Sequence, residues 1–111
     1  MSALACGCPG ANVRTIEKPE TEDVTYTDSR PSELRQWPTQ LHLVPPHAPY
    51  LQKAHLLIAA DCVPFAYADF HKDFIKGRVL VNACPKLDDT GPYVEKLAAI
   101  IAQNDIQSVT V

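Results

Sequence analysis

The sequence predicts an α/β domain on a short, mostly parallel sheet. Three observations carry that prediction: apolar runs of four to six residues recur after Thr39, amphipathic intervals separate them, and the runs in the middle are apolar throughout. This is the rhythm of a βα repeat.

Four strands are expected. Gln40–Val44 (QLHLV) is the first, His55–Ala60 (HLLIAA) the second, Arg78–Asn82 (RVLVN) the third and Ser108–Val111 (SVTV) the fourth. The second and third are nearly continuous apolar runs, as central strands covered on both faces should be, while the outer two alternate more. Between them, Ala66–Lys76 places Tyr67, Phe70 and Phe74 at helical spacing, and Gly77 follows as a stop, so a helix with an aromatic stripe is expected. Pro92–Gln103 is the clearest helix. Val94, Leu97, Ala98, Ile100 and Ile101 form its apolar face, Thr90 can cap it, Pro92 suits its first turn and Asn104 its end. Right-handed crossovers between such strands make the sheet a small Rossmann-like one, with strand order left open.

The stretch before Trp37 shows neither period. It is charged and proline-containing, and it reads as a flexible, cysteine-containing N-terminal segment over residues 1–36 ahead of an α/β domain over 37–111. Trp37 is the expected first anchor of that domain. Ser108–Val111 ends the sequence inside a strand, so a C-terminal boundary cut from a longer protein is expected.

Composition narrows the function. The chain has 111 residues, enough for one domain with a real core, and its 46% hydrophobic and 21% charged content is that of a globular protein. Ten prolines are about double the usual share and mostly punctuate loops and the first half. A net charge of −3 with scattered lysine and arginine leaves nucleic-acid binding without an electrostatic footprint. No apolar run approaches the roughly 18 residues that span a bilayer, and Met1–Gly10 lacks the regions of a secretory signal. A cytoplasmic location is expected, and there the four cysteines should be free, catalytic or metal-bound rather than paired.

The cysteines are the main chemical signal. Cys62 follows the second strand and its Asp61, and Cys84 follows the third, so both lie just past the carboxyl ends of parallel strands, where open α/β sheets bind ligands. Neighbouring strands are about 4.8 Å apart, close enough for two sulfurs to share a metal or cluster. The alternative is that both are small buried hydrophobes. Cys6 and Cys8 stand in a Cys-Gly-Cys-Pro-Gly loop, and with the other pair they make four thiolates, enough for tetrahedral zinc or a cubane cluster. The spacing matches neither a ferredoxin run nor a zinc ribbon.

Other residues are secondary. His42 and His55 alternate with apolar residues in strands and read as structural, and His71 falls on the polar side of its helix. His47, in the loop PPHAPY, is a candidate ligand or ligand-supporting residue at the same edge as Cys62. Asp61 orients a ligand or ends a strand. Asp88 and Asp89 read as helix-start residues that complement the dipole. No nucleophile elbow, P-loop or dinucleotide fingerprint is present.

Around these residues the phrases LRQWP, LVPPHAPY, LLIAADCVPFAYADFH and NACPKLDD resemble a family of uncharacterised iron-sulfur proteins of anaerobic bacteria, usually labelled 4Fe-4S ferredoxins. The resemblance runs from Cys6 to Val111. It implies an iron-sulfur context, and the leading expectation is a thiolate-metal binding domain for electron transfer that holds a 4Fe-4S cluster, with Cys62 and Cys84 as core ligands, Cys6 and Cys8 as candidates, and a redox protein or a ferredoxin domain as partner. Fuller members carry a two-cluster ferredoxin region ahead of the segment like Cys6–Gly10 and a Cys-Cys segment with glycines after the last strand. Neither stands in this sequence. Zinc, or no cofactor, is the alternative. Two further readings stay open: a docking module without metal, and a thiol-redox protein using Cys62 or Cys84 near a cation such as Lys86.

Overall fold

A computed structural model describes residues 12–17 and 29–111. Cys6, Cys8 and most of the expected N-terminal segment lie outside the described residues. In chain order the elements are β1 (Arg14–Thr15), β2 (Gln36–Trp37), a 3-10 turn (Pro49–Leu51), β3 (His55–Ala60), α1 (Val63–Ala66), a π-helical turn (His71–Ile75), β4 (Val79–Ala83), α2 (Gly91–Gln103) and β5 (Ser108–Thr110).

The main sheet has three strands, in the order β4-β3-β5, all parallel. Leu56 pairs with Val79 and Ala60 with Ala83, while His55 pairs with Ser108 on the other side. The expected first strand shrinks to a single parallel bridge between Gln40 and Asn82. Its pairing is local: Leu41 N donates to Asn82 O at 2.9 Å, but Leu43 N and Val44 N then turn back to Gln40 O. Pro45 and Pro46 follow, and neither has an amide hydrogen to continue a ladder.

Strand alternation divides the core between the two faces of the sheet. Leu56, Val81 and Ala83 meet Leu41, Val44, Leu51 and Ile100 on one face. Leu57 and Leu80 meet Phe70 and Ile75 on the other. The connection after β3 covers the second face and α2 covers the first. The chain moves one way across the sheet from β3 to β4 and back past β3 to β5, so same-handed crossovers must take opposite faces.

The helices differ in detail from expectation. The single helix over Ala66–Lys76 is instead α1 and the π-helical turn, separated where Tyr67 adopts extended backbone (φ −112°, ψ 108°). The aromatic stripe survives the break, because Tyr67 and Phe74 stack edge-on at 5.1 Å and Phe70 is buried. Gly77, at φ 78°, stops the turn as expected. On α2 the buried stripe is Tyr93, Leu97 and Ile100, whereas Val94 and Ile101 are exposed. Three strands are too narrow to cover the wider face read from the sequence. Thr90 precedes α2 without a side-chain cap; Asp89 Oδ1 accepts the Gly91 amide at 3.0 Å instead.

Ahead of Trp37, β1 and β2 pair antiparallel, with Arg14 opposite Trp37 and its guanidinium 5.9 Å from the indole centroid. Gln36 and Pro38 are buried, and the Trp37–Pro38 peptide is cis. His71 is not solvated as expected: its Nδ1 accepts the Glu33 amide at 3.0 Å.

Candidate functional site

The carboxyl edge of the sheet is where the chain leaves β3 and β4 toward opposite faces. That divergence opens the crevice in which doubly wound sheets bind ligands. Cys62 lies two residues beyond Ala60, and Cys84 one residue beyond its register partner Ala83. Both thiols are free; Cys62 is exposed and Cys84 half-buried. The buried-hydrophobe alternative is therefore excluded for Cys62, which exchanges core packing for access to solvent.

Asp61, the residue before Cys62, ties the neighbouring segments together. Its amide donates to Ala83 O at 3.0 Å, continuing the ladder one step past β3. Its Oδ1 accepts from Gln40 Nε2 at 3.1 Å and from Asn82 Nδ2 at 2.6 Å. Three neighbouring chain segments are thus tied to one carboxylate oxygen. On the outer side a hollow of about 250 Å³ opens, with Asp61 and Asn82 at one end and Trp37, Phe65 and Phe70 along it.

Asp88 does the same for Cys84. The turn after β4 closes with Asp88 N donating to Cys84 O at 2.8 Å, and Asp88 Oδ2 accepts the Cys84 amide at 3.1 Å. The same oxygen takes a very short hydrogen bond from the Tyr93 hydroxyl. His42 Nε2 stands 3.9 Å away, with its ring 4.8 Å from that of Tyr93. The Tyr93 hydrogen bond and then the Cys84 amide hold the Asp88 carboxyl below the usual carboxylate range, burial opposes them, and His42 adds the smallest lowering effect. Burial, followed by the adjoining Asp88, pushes Tyr93 up to about 12. Lys96, lowered by burial, donates to Val44 O at 2.8 Å and pins the turn carrying His42 onto α2.

Several of these residues were not singled out by the sequence reading as parts of a site. His42 sits in a turn beside Asp88 and not in a strand, and Gln40, Asn82, Tyr93 and Lys96 carried no local signal because their partners are far away in the chain. Asp88 serves the Cys84 turn, while only Asp89 serves the helix start. His55 is as expected, with Nδ1 2.7 Å from Ser108 Oγ. His47 is exposed and makes no hydrogen bond among the described residues. Among the described residues no three His, Cys, Asp or Glu side chains gather into a metal-holding group. Of the four candidate thiolates, Cys62 and Cys84 lie at the carboxyl edge of the sheet, and Cys6 and Cys8 lie outside the described residues. No helix among the described residues is long and apolar enough to cross a membrane.

A three-strand parallel sheet with covered faces and its polar groups at the carboxyl edge defines a Rossmann-like domain. The chain belongs to the Rossmann-like domain family, whose model matches residues 48–111. It is 36% identical over 73 residues to an uncharacterised protein of Archaeoglobus fulgidus, a match covering 66% of this chain and 51% of that protein. The chain thus spans about half the length of that curated relative. No solved structure matches it.

Proposed function

We propose that the chain is an iron-sulfur, or more broadly thiolate-metal, binding domain of a ferredoxin-like electron-transfer protein. The observation that supports this is the position of two free thiols, one just past each of the register-matched strand ends Ala60 and Ala83. Cys62 and Cys84 are the core ligands in this reading, and Cys6 and Cys8 complete the set. A 4Fe-4S cluster is the preferred occupant and zinc the alternative; a cluster supplies one-electron transfer. The protein's own part is to hold the thiols in place: Asp88 fixes the Cys84 turn through its amide, and Asp61 ties β3 to β4 beneath Cys62. No catalytic step is assigned to the chain.

The partner in this reading is a redox protein or a ferredoxin domain. Phe65, three residues after Cys62, is 92% exposed, and Leu87, three after Cys84, is 87% exposed. Two large apolar side chains beside the thiols favour a protein surface as the neighbour.

Protein purified without oxygen should show a broad brown absorption with stoichiometric iron and sulfide, or, for the alternative, stoichiometric zinc. Cys62→Ser and Cys84→Ser should each lower the metal content severalfold. A colourless, metal-free wild-type protein that is folded overturns the proposal. It leaves the docking module, which the exposed Phe65 and Leu87 support on their own, or a thiol-redox protein, marked by fast alkylation of Cys62 or Cys84 at mildly acid pH.

A further inference from the structure

The opposite edge of the sheet, at the amino ends of β3 and β4, carries a hollow of about 350 Å³ that the thiol reading does not use. Arg35, Lys53 and Arg78 line it with His55, and no carboxylate among the described residues does, although the chain as a whole carries −3. A positive lining on an acidic protein selects anions.

Gln36 and Tyr50 line the same hollow, and each carries a buried polar atom without a partner among the described residues. Gln36 is 1% exposed, and its Nε2 donates to Leu80 O at 2.7 Å, which sets the sense of the amide. Its Oε1 is left buried as an acceptor with no hydrogen-bond partner among the described residues, and so is the Tyr50 hydroxyl. An unpaired buried polar group is costly, so two of them on residues that line one hollow point to a ligand that satisfies them. Burial pushes Tyr50 up to about 12, so its phenol keeps its proton and serves as a donor. Lys53, at φ 56°, holds a left-handed backbone that lysine rarely adopts, at the point where the chain bends into β3.

We infer that this hollow binds a small oxyanion that retains a hydroxyl of its own, of which hydrogen phosphate and a hydroxydicarboxylate such as malate are the two forms. The cations draw the charge, the Tyr50 hydroxyl donates to an anionic oxygen, and Gln36 Oε1 accepts from the ligand's hydroxyl. An oxyanion without a proton brings an oxygen against Oε1, acceptor to acceptor. The selectivity therefore follows from one fixed amide.

Calorimetric titration of the full chain at pH 7 and low salt tests this with two matched pairs, phosphate against sulfate and malate against succinate. One hydroxyl-bearing anion should saturate at one site per chain and bind at least about tenfold more tightly than its hydroxyl-free partner, since a charged hydrogen bond contributes roughly 1.5–3 kcal/mol. Saturation by phosphate alone identifies an inorganic or phosphoryl ligand, and saturation by malate alone a carboxylate one. Tyr50→Phe should weaken that binding about tenfold without lowering the melting temperature, because the lost hydroxyl has no partner among the described residues. Lys53→Asn, which tolerates the left-handed backbone, should weaken it and flatten its salt dependence. No saturation by either hydroxyl-bearing anion, equal affinity within both pairs, or full affinity in both variants overturns the inference.

Discussion

Asn104 ends α2 and ties three segments together with one buried amide. Its Nδ2 donates to Ile100 O at 2.8 Å and to Pro46 O at 2.7 Å, and its Oδ1 accepts from Gln52 Nε2 at 2.7 Å. Replacing it with alanine strands one buried and one partly buried carbonyl, so Asn104→Ala should lose on the order of 2–3 kcal/mol. Urea denaturation checks this, and a loss under about 0.5 kcal/mol, the range of an ordinary surface change, would contradict it. Asp88 makes a different kind of prediction. Its folded pKa is depressed, chiefly by the Tyr93 hydrogen bond, so its contribution is present above the unfolded carboxylate value of about 4 and disappears as pH falls through the folded one. Asp88→Asn should therefore flatten the acid limb of the stability profile, and an unchanged slope below pH ~4 would show that the carboxylate is not linked to folding. Tyr93 works at the other extreme. The unfolded phenol ionises near 10 while the folded one waits until about 12, so stability falls as pH rises across that interval. Tyr50 shares that shift, and Tyr93→Phe should remove part of the alkaline loss, as followed by tyrosinate absorbance alongside circular dichroism.

At the scale of elements, α2 separates residues that the sequence pattern groups together. Ile100 is fully buried against Leu56, Val81 and Leu51, whereas Val94 is 75% exposed. Ile100→Ala should cost about 2–5 kcal/mol, and Val94→Ala less than about 0.5 kcal/mol. Similar losses at both positions would mean that the helix is rotated on the sheet. The contrast also shows what the sequence makes legible. Period and composition locate β3, β4, β5 and α2 to within a residue or two, because each buries a local pattern. They do not reveal that Gln40–Val44 stops after one bridge, since that depends on how the strand meets Asn82 and on the turn back to Gln40 O. Nor do they reveal the break at Tyr67, where the hydroxyl reaches Asp73 Oδ2 at 2.8 Å. The site was legible in the same uneven way. Cys62 and Cys84 announce themselves by following strands, but Tyr93 and His42 join Asp88 only after α2 folds back over the first turn, and Gln36 meets Leu80 across forty-four residues.

The whole molecule has two small core clusters with a three-strand sheet between them, and Cys62 and Cys84 follow that sheet at its carboxyl edge. Small domains bury a modest fraction of their surface and have little stability in reserve. A metal held by Cys62 and Cys84 links the ends of β3 and β4, so its binding energy adds directly to folding. A ligand at a hundred times its dissociation constant contributes about 2.7 kcal/mol, and each kcal/mol moves the melting temperature of a domain this size by roughly 4–8 °C. Stripping metal from protein purified without oxygen should therefore lower its melting temperature by about 10 °C or more. Cys62→Ser and Cys84→Ser should already melt near the stripped value and respond little to further chelation. Metal present but with no effect on melting would place it away from the strand ends, on a segment that binds it equally well in the unfolded chain, because only a ligand that favours the native state stabilises it. A Cys84→Ser protein that still shows the full chelation effect would likewise remove β4 from the site, and Asp88, which pins the Cys84 turn from below, would then be holding a structural loop alone.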